Sequence, residues 1–590
     1  MCYKRGVQRT LPYTAPVEWT PQDPPSLVGM DTIEFDCETT GLERTSLPVG
    51  FALGTPKGTQ YLPFGHRGGQ NLDEAVVKRW AERELRGKYI RNLNTKSDLH
   101  WMRRWGVDLR EQDNTFHDVA HAAALLDDHR KTFNLNELAT TELGEGKADL
   151  DPDTIAALSG GQVAAYACND VRLVRLLAEV YAPRLKAEGL EVVSRLEDAV
   201  IPTVVEMEAN GMPLDVELLT KWQKSAAALE DTLQWELYRL TGFMVNPDAP
   251  TDMAKLFSRC GAQPGFTVKG KPSFTTDIVE AAAVAHPAIR IAWRLGKIRD
   301  LRNKYLDKYA AEHVDGVLYP SLNQLRGDDG GTVSGRFSCV RPNLQQVLGA
   351  DKHRRAYGWV TEYGPDDYLI KRLFVPTSGR WVSADMKQCE YRIFVHYTRS
   401  ERLLKKYRDD PNTNFHNYVN EDILKNAFDK TRVKVFNFLS IFGGGASAAA
   451  RNLGVSQHVA EDWSRLYHAA FPEARALLNE AMDAADRRGY VKTLLGRRSR
   501  FKGERGKRER LHKALNAVVQ GTAADAMKAT LVALYEARES IGITMRLCVH
   551  DSMEAEVRDV EGYTALLNAQ RLNLTVPLLW EIVSHSRWAA

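Results

Sequence analysis

Apolar and polar residues alternate through DTIEFDCE, residues 31–38, the period of a strand with one face buried, and the TTGL that follows reads as a turn. Downstream, HDVAHAAALL and GGQVAAYACNDVRLVRLLAEVY carry helical spacing, so the first folded unit is predicted to be an α/β domain ending near Arg184. From about Ala187 to Ala310, stretches such as DVELLTKWQKSAAALEDTLQWELYRL and AIRIAWRLGKIRDLRNKYLDKYA predict an elongated helical element. A Gly-rich loop, RGDDGGTVSGRFSC, then leads to a strand-like WVSADM. After another largely helical stretch, a second strand signal, ITMRLCVHDSMEAEV, lies near the C-terminus. Two strands so far apart in sequence can still be neighbours in one sheet, with the helical segment between them forming a separate lobe. Before all of this, the first 28 or so residues are Pro-rich and aperiodic and read as a lead-in arm.

A chain of 590 residues is too long for one hydrophobic core, so two to four domains are expected. Its 44% hydrophobic and 26% charged residues are those of an ordinary folded protein. Lys plus Arg (79) barely exceeds Asp plus Glu (76), so any basic footprint for a nucleic acid must be local. The seven cysteines are scattered with no CxxC pair, which argues against a disulfide framework or zinc site and for a reducing, cytoplasmic interior. No apolar run approaches the ~18 residues of a membrane span, so neither a membrane nor secretion is indicated.

The chemistry lies in the acids. Asp36 and Glu38 are two apart in a strand pattern and leave the same face, where they repel unless a positive charge sits between them. An isolated Asp-x-Glu is usually a solvated pair, but Asp98 in the polar turn NTKSD adds a third acid. Tyr166 and Asp170, four apart in YACND, place a phenol and a fourth acid on one helix face. In order and spacing these resemble the three motifs of DEDD-superfamily 3′-to-5′ exonucleases, in the tyrosine variant. The resemblance implies an RNase H-like domain in which Asp36, Glu38, Asp98 and Asp170 bind two Mg²⁺ or Mn²⁺ ions and Tyr166 orients the attacking water.

A second pair of acids lies in SADMKQCEYR, with Asp385 and Glu390, and in VHDS, with Asp551. With the segments between them they resemble motifs A and C of family A DNA polymerases, the group of bacterial DNA polymerase I and many phage replicative enzymes, over residues from about 187 to 590. The resemblance implies that Asp385 and Asp551 hold two Mg²⁺ ions joining the primer 3′ hydroxyl and the triphosphate, and that Glu390 crowds the sugar's 2′ carbon. Ser552 stands where bacterial members often have glutamate.

In KTRVKVFNFLSIF, steps of four put Lys430, Lys434, Phe438 and Phe442 on one helical stripe running from cationic to aromatic. Such a stripe suits a nucleoside triphosphate and resembles motif B of the family, with Lys430 in place of arginine and Phe442 in place of tyrosine. Phe438 resembles members that reject dideoxynucleotides. TVSGRFS and PNLQ resemble segments through which Arg336, Asn343 and Gln345 touch the minor groove of the primer terminus. Its acceptors are nearly alike for all base pairs, so contact there checks shape without reading sequence. Asn516 and Gln520 resemble the matching pair on the template side, with His512 where arginine is frequent. His550 completes the expected DNA contacts, and His416 resembles a histidine near the incoming phosphates. Eight Lys or Arg and two Glu lie between Arg497 and Arg510, a candidate phosphate-backbone surface.

The resulting expectation is an α/β multidomain chain: an arm (1–28), an RNase H-like exonuclease domain (29–185) and a right-hand polymerase domain (186–590). The thumb is expected at about 190–320, the palm at about 321–400 and 500–590, and the fingers at about 401–499. The function implied is a proofreading, replicative DNA polymerase, monomeric, acting on primer-template DNA and dNTPs in the cytoplasm, of a bacterial host if the source is a phage. No accessory subunit at the thumb is indicated. A gap-filling repair polymerase and an inactive nucleic-acid-binding protein are the alternatives.

Overall fold

The computed structural model describes residues 19–588, apart from 148, 149, 152, 268, 329 and 571; most of the N-terminal arm, residues 1–18, lies outside the described residues. The described end of the arm forms no helix or strand, yet it is docked: Leu27 is fully buried and the Trp80 indole donates to the carbonyl of Pro25 at 2.5 Å.

Five strands, β1 (Thr32–Thr39), β2 (Pro48–Thr55), β3 (Gly58–Pro63), β4 (Tyr89–Asn92) and β5 (Thr115–Asp118), form the first sheet in the order β3-β2-β1-β4-β5. β2 is antiparallel to both neighbours, whereas β1, β4 and β5 run parallel. The alternation in β1 does its predicted work: Ile33, Phe35 and Cys37 enter a core with Trp80, Trp101 and Trp105, leaving Asp36 and Glu38 on the other face. Two helices complete the acid cluster, α1 (Thr95–Trp105) following β4, and α2 (Gly160–Ala187), whose start is closed by reciprocal Ser159 and Gln162 hydrogen bonds.

The next helix, α3 (Glu191–Asn210), opens the segment expected to be the thumb and is shared among three cores, Val193 entering the one built on residues 119–126 and α2. Ile201 and Val205 pack into the core of the first sheet, while Val200, Val204 and Met207 belong to the large C-terminal core. Beyond it, α4 (Val216–Thr241) buries Leu219, Trp222, Ala226, Leu229, Leu233 and Leu237 at helical spacing against α5 (Pro287–Leu301), as the long helical element was expected to do.

Strands β6 (Arg380–Met386), β7 (Ile543–Val549), β8 (Ser552–Val557) and β9 (Trp580–His585) form an antiparallel sheet in the order β7-β8-β6-β9. The two distant strand signals are thus joined, with the C-terminal strand added on the far side of β6. The intervening chain is mainly helical and includes α6 (Cys389–Thr398), α7 (Lys430–Ile441) and α8 (Ala514–Glu536). Trp381 and Trp588 stack beneath the sheet, 6.1 Å between ring centres. Among the described residues no helix is long and apolar enough to cross a membrane.

Candidate active sites

At the first cluster, ligand oxygens of Asp36 and Glu38 from β1 and of Asp170 from α2 lie within 4.8 Å of one another. Asp98 sits beside them on α1, its Oδ1 accepting the Cys37 amide at 2.7 Å. Burial drives all four carboxyls upward, and repulsion from neighbouring acids adds to it at Asp36 and Glu38. Asp36 is held well above the usual carboxylate range by burial and then by Asp98, Glu38 and Asp170. Glu38 is pushed up to about 8 by burial and Asp170, and Asp98 to about 7 by burial despite its hydrogen bonds. Asp170 is raised by burial, with the Lys147 ammonium opposing. Glu38 Oε1 and Asp170 Oδ1 are buried without a hydrogen-bond partner. Hard, crowded, unpartnered carboxylate oxygens are a fitting donor set for Mg²⁺ or Mn²⁺. Tyr166, one turn before Asp170, is buried with its hydroxyl pKa raised by the same burial and by Asp170. The cavity, about 440 Å³, is also walled by residues 322–328, which run into the start of the Gly-rich loop.

At the second cluster the sheet register does the positioning. Asp385 near the end of β6 is the direct partner of Ser552 on β8 and of Glu581 on β9. The Met386 amide donates to the Asp551 carbonyl at 2.9 Å, drawing the turn that carries Asp551 against the strand that carries Asp385. The Asp385 carboxyl is pushed up to about 7 by desolvation, then by Asp551 and Glu581, with Lys434 opposing. His550 holds the left-handed conformation of that turn, φ 57°. Arg336 spans two acids, with its Nη2 2.6 Å from Glu390 Oε1 and 3.3 Å from Asp551 Oδ1. Its expected DNA contact is therefore preceded, in this state, by an internal ion pair.

Of the cation-to-aromatic stripe, the part from Lys434 to Phe442 lines up along α7 and its end. Lys434 Nζ lies 5.9 Å from the Phe438 ring centre, and Phe438 and Phe442 are parallel at 6.1 Å. The Lys430 side chain lies outside the described residues. His416 approaches from the side: Asn437 Nδ2 lies 3.0 Å from its Nδ1, and burial followed by Lys434 pushes it down to about 4, so it is neutral at pH 7. Gln345 donates to the Cys548 carbonyl at 2.9 Å, tying its segment to the end of β7, and Asn343 accepts the Gln345 amide. Asn516 and Gln520 are half-buried, one turn apart on α8.

The basic run divides in two. Arg497 is buried against Glu197 and Asp525, Arg498 and Arg500 pair with Glu188 at 2.9 and 2.6 Å, and Arg508 donates to the Asp486 and Phe501 carbonyls at 2.8 and 3.1 Å, so these four hold the fold together. Lys502, Arg505, Lys507 and Arg510 remain exposed and are the part free to meet a phosphate backbone. Sequence reasoning missed Glu581, whose only signal was one acid inside an apolar strand, and Lys147, which carried no motif at all. It also missed the buried assembly in which Lys528 Nζ reaches Glu197 Oε1 at 2.6 Å and the Gln324 carbonyl at 2.6 Å.

An antiparallel sheet that presents paired acids beside a cationic helix defines a protein equipped for nucleotidyl transfer. The family model for DNA polymerase family A matches residues 216–590, and the chain belongs to that family as a DNA-directed DNA polymerase. It is similar to "DNA polymerase DpoZ" of Salmonella phage PMBT28, 28% identical over 91% of this chain and 92% of that one, and to its namesake in Vibrio phage phiVC8, 26% identical over 93% of each. DNA polymerase I of Rhizobium leguminosarum is 27% identical over 93% of this chain but only 57% of its own length. Among solved structures, the POL domain of Pol1 from M. smegmatis, in complex with DNA primer-template and dNTP, shares the fold. Its TM-score is 0.79 at 21% identity, over 95% of this chain and 96% of that one.

Proposed function

We propose that this polymerase also proofreads: it extends a primer at Asp385 and Asp551 and shortens it at Asp36, Glu38, Asp98 and Asp170, with two Mg²⁺ or Mn²⁺ ions at each site. The observation that carries the reading is the convergence of Asp36, Glu38 and Asp170 oxygens within 4.8 Å, with buried, unpartnered atoms among them. The strand order β3-β2-β1-β4-β5 with β2 reversed supports an RNase H-like domain. Bound divalent ions would supply activation of the attacking oxygen and neutralisation of charge at phosphorus.

The chain's own groups do the rest. At the synthetic site Lys434 faces the triphosphate, and the neutral His416 can donate a hydrogen bond to a phosphate oxygen. The parallel rings of Phe438 and Phe442 offer an apolar face to sugar and base, while Glu390, held by Arg336, crowds the 2′ position. Primer-template would lie across Arg336, Asn343, Gln345, Asn516, Gln520 and His550, and its arrival would draw Arg336 away from the acids. At the other site Tyr166 would orient the attacking water. Residues 322–328 wall the shortening pocket, and Arg336, eight residues on, contacts Glu390 and Asp551, so one stretch of chain borders both sites. The phage relatives favour a replicative role.

A 5′-labelled primer annealed to template and incubated with Mg²⁺ tests the reading. Lengthening with dNTPs and shortening without them is the expected result. A primer that lengthens but never shortens would remove the proofreading half.

A further inference from the structure

Lys147 belongs to no motif. It lies in the loop between the helix Leu135–Leu143 and α2, where its backbone amide donates to Asn136 Oδ1 at 2.9 Å. Its ammonium reaches Asp170 Oδ2 at 2.5 Å and sits 4.5 Å from the centre of the Tyr166 ring, with the side chain only 22% exposed. Asp170 is thereby divided: one oxygen is held by the ammonium, while Oδ1 is buried without a hydrogen-bond partner. A lysine gives up its hydration for a position this enclosed only where a fixed negative charge compensates it. Here that charge is an acid of the cluster itself, and the ring beside it is the phenol expected to orient water.

We propose that Lys147 is a positioning residue of the shortening site, an internal cation that fixes Asp170 and Tyr166 for the reaction and, in the same contact, competes with divalent ions for the acids. The proposal rests on the exonuclease reading of that site. It makes two effects of opposite sign. Removing the ammonium leaves the pocket one charge more negative, so divalent ions bind more tightly. Asp170 and the phenol lose their anchor, so cleavage slows. A lysine that merely buttressed the loop would, when removed, loosen the acids and weaken both together.

The test uses the full chain with Lys147→Met and Lys147→Arg. Mn²⁺ binding is read by calorimetry in a Asp385→Asn background, to weaken the synthetic site, and shortening is read on a labelled single strand with Asp385 intact. Lys147→Met is expected to bind Mn²⁺ about 3- to 10-fold more tightly, the effect of one partly screened unit charge, yet to shorten DNA roughly 10- to 100-fold more slowly. Lys147→Arg should recover most of the rate, and extension by either variant, which also reports that the chain is folded, should match the unsubstituted protein. Weaker or unchanged Mn²⁺ binding, or shortening at the original rate, overturns the proposal. If the unsubstituted chain shortens nothing, the exonuclease reading itself fails; if it shortens and Lys147→Met keeps pace, only the role of Lys147 fails.

Discussion

Glu581 is the direct cross-strand partner of Asp385, on the side of β6 opposite the hairpin that carries Asp551. Paired residues on antiparallel strands hold their Cβ atoms about 4.5–5.5 Å apart on one face, so the C-terminal strand supplies an acid beside Asp385 in addition to Asp551 and Glu390. Ser552, which lacks a charge, flanks Asp385 on the other side. Replacing Glu581 by Gln should leave extension intact at saturating Mg²⁺ but raise the concentration needed for half-maximal rate by about 2- to 5-fold, the effect of one screened charge. An unchanged Mg²⁺ dependence in primer extension would show that Glu581 contributes nothing there.

Divalent ions should also stabilise the first domain, because they relieve the repulsion among Asp36, Glu38, Asp98 and Asp170. At Mg²⁺ about 100-fold above its dissociation constant, mass action contributes about 2.7 kcal/mol. Thermal melting with Mg²⁺ and with EDTA is expected to show a higher midpoint with the ion. The increment should shrink in Asp170→Asn, and an equal increment in that variant would place the stabilising ion elsewhere.

Acid should loosen α3 from the cores it joins. Burial alone would raise Glu197, but the Lys528 ammonium and the Arg497 guanidinium outweigh it and hold it at about 2. Glu208, likewise opposed by burial, is held at about 2 by Lys96 and His100. An ordinary glutamate titrates near 4.3. Folded values below the unfolded one mean that this stabilisation is fully present above about pH 4.3 and is lost as pH falls toward 2. Glu197→Gln, which leaves buried cations with one partner fewer, should cost roughly 3–5 kcal/mol at pH 7. Its melting point should change less than the original's between pH 5 and pH 3; parallel curves would contradict the assignment.

Phe438 presents an apolar ring where a tyrosine would offer a hydroxyl to the sugar edge. Dideoxynucleotides should therefore terminate extension poorly, and Phe438→Tyr should improve their incorporation by roughly 2- to 10-fold, the size of one neutral hydrogen bond. Efficient termination by the unsubstituted protein in a sequencing-type extension would refute this.

The acids were legible in the sequence because a strand with a period of two and a helix with a period of 3.6 place Asp36 with Glu38, and Tyr166 with Asp170, without knowledge of the rest of the chain. The stripe from Lys434 to Phe442 was legible for the same reason. Pairings between distant segments were not. Arg497 reads as part of an exposed basic run, and only its burial against Glu197, 300 residues earlier, makes it structural. Helix α3 carries one amphipathic pattern that serves three cores, a division that its own spacing does not reveal. Lys147 and Glu581 gain meaning only from the acids that the fold brings beside them.

The claim on which the rest depends is that one chain holds two independent acid sites, and the matched pair Asp385→Ala and Asp36→Ala tests it in a single primer-template assay with Mg²⁺. Asp385→Ala should slow extension by roughly 10³-fold or more while shortening continues at its original rate, and Asp36→Ala should do the reverse. Loss of both activities in either variant, with the fold intact by circular dichroism, would contradict the account.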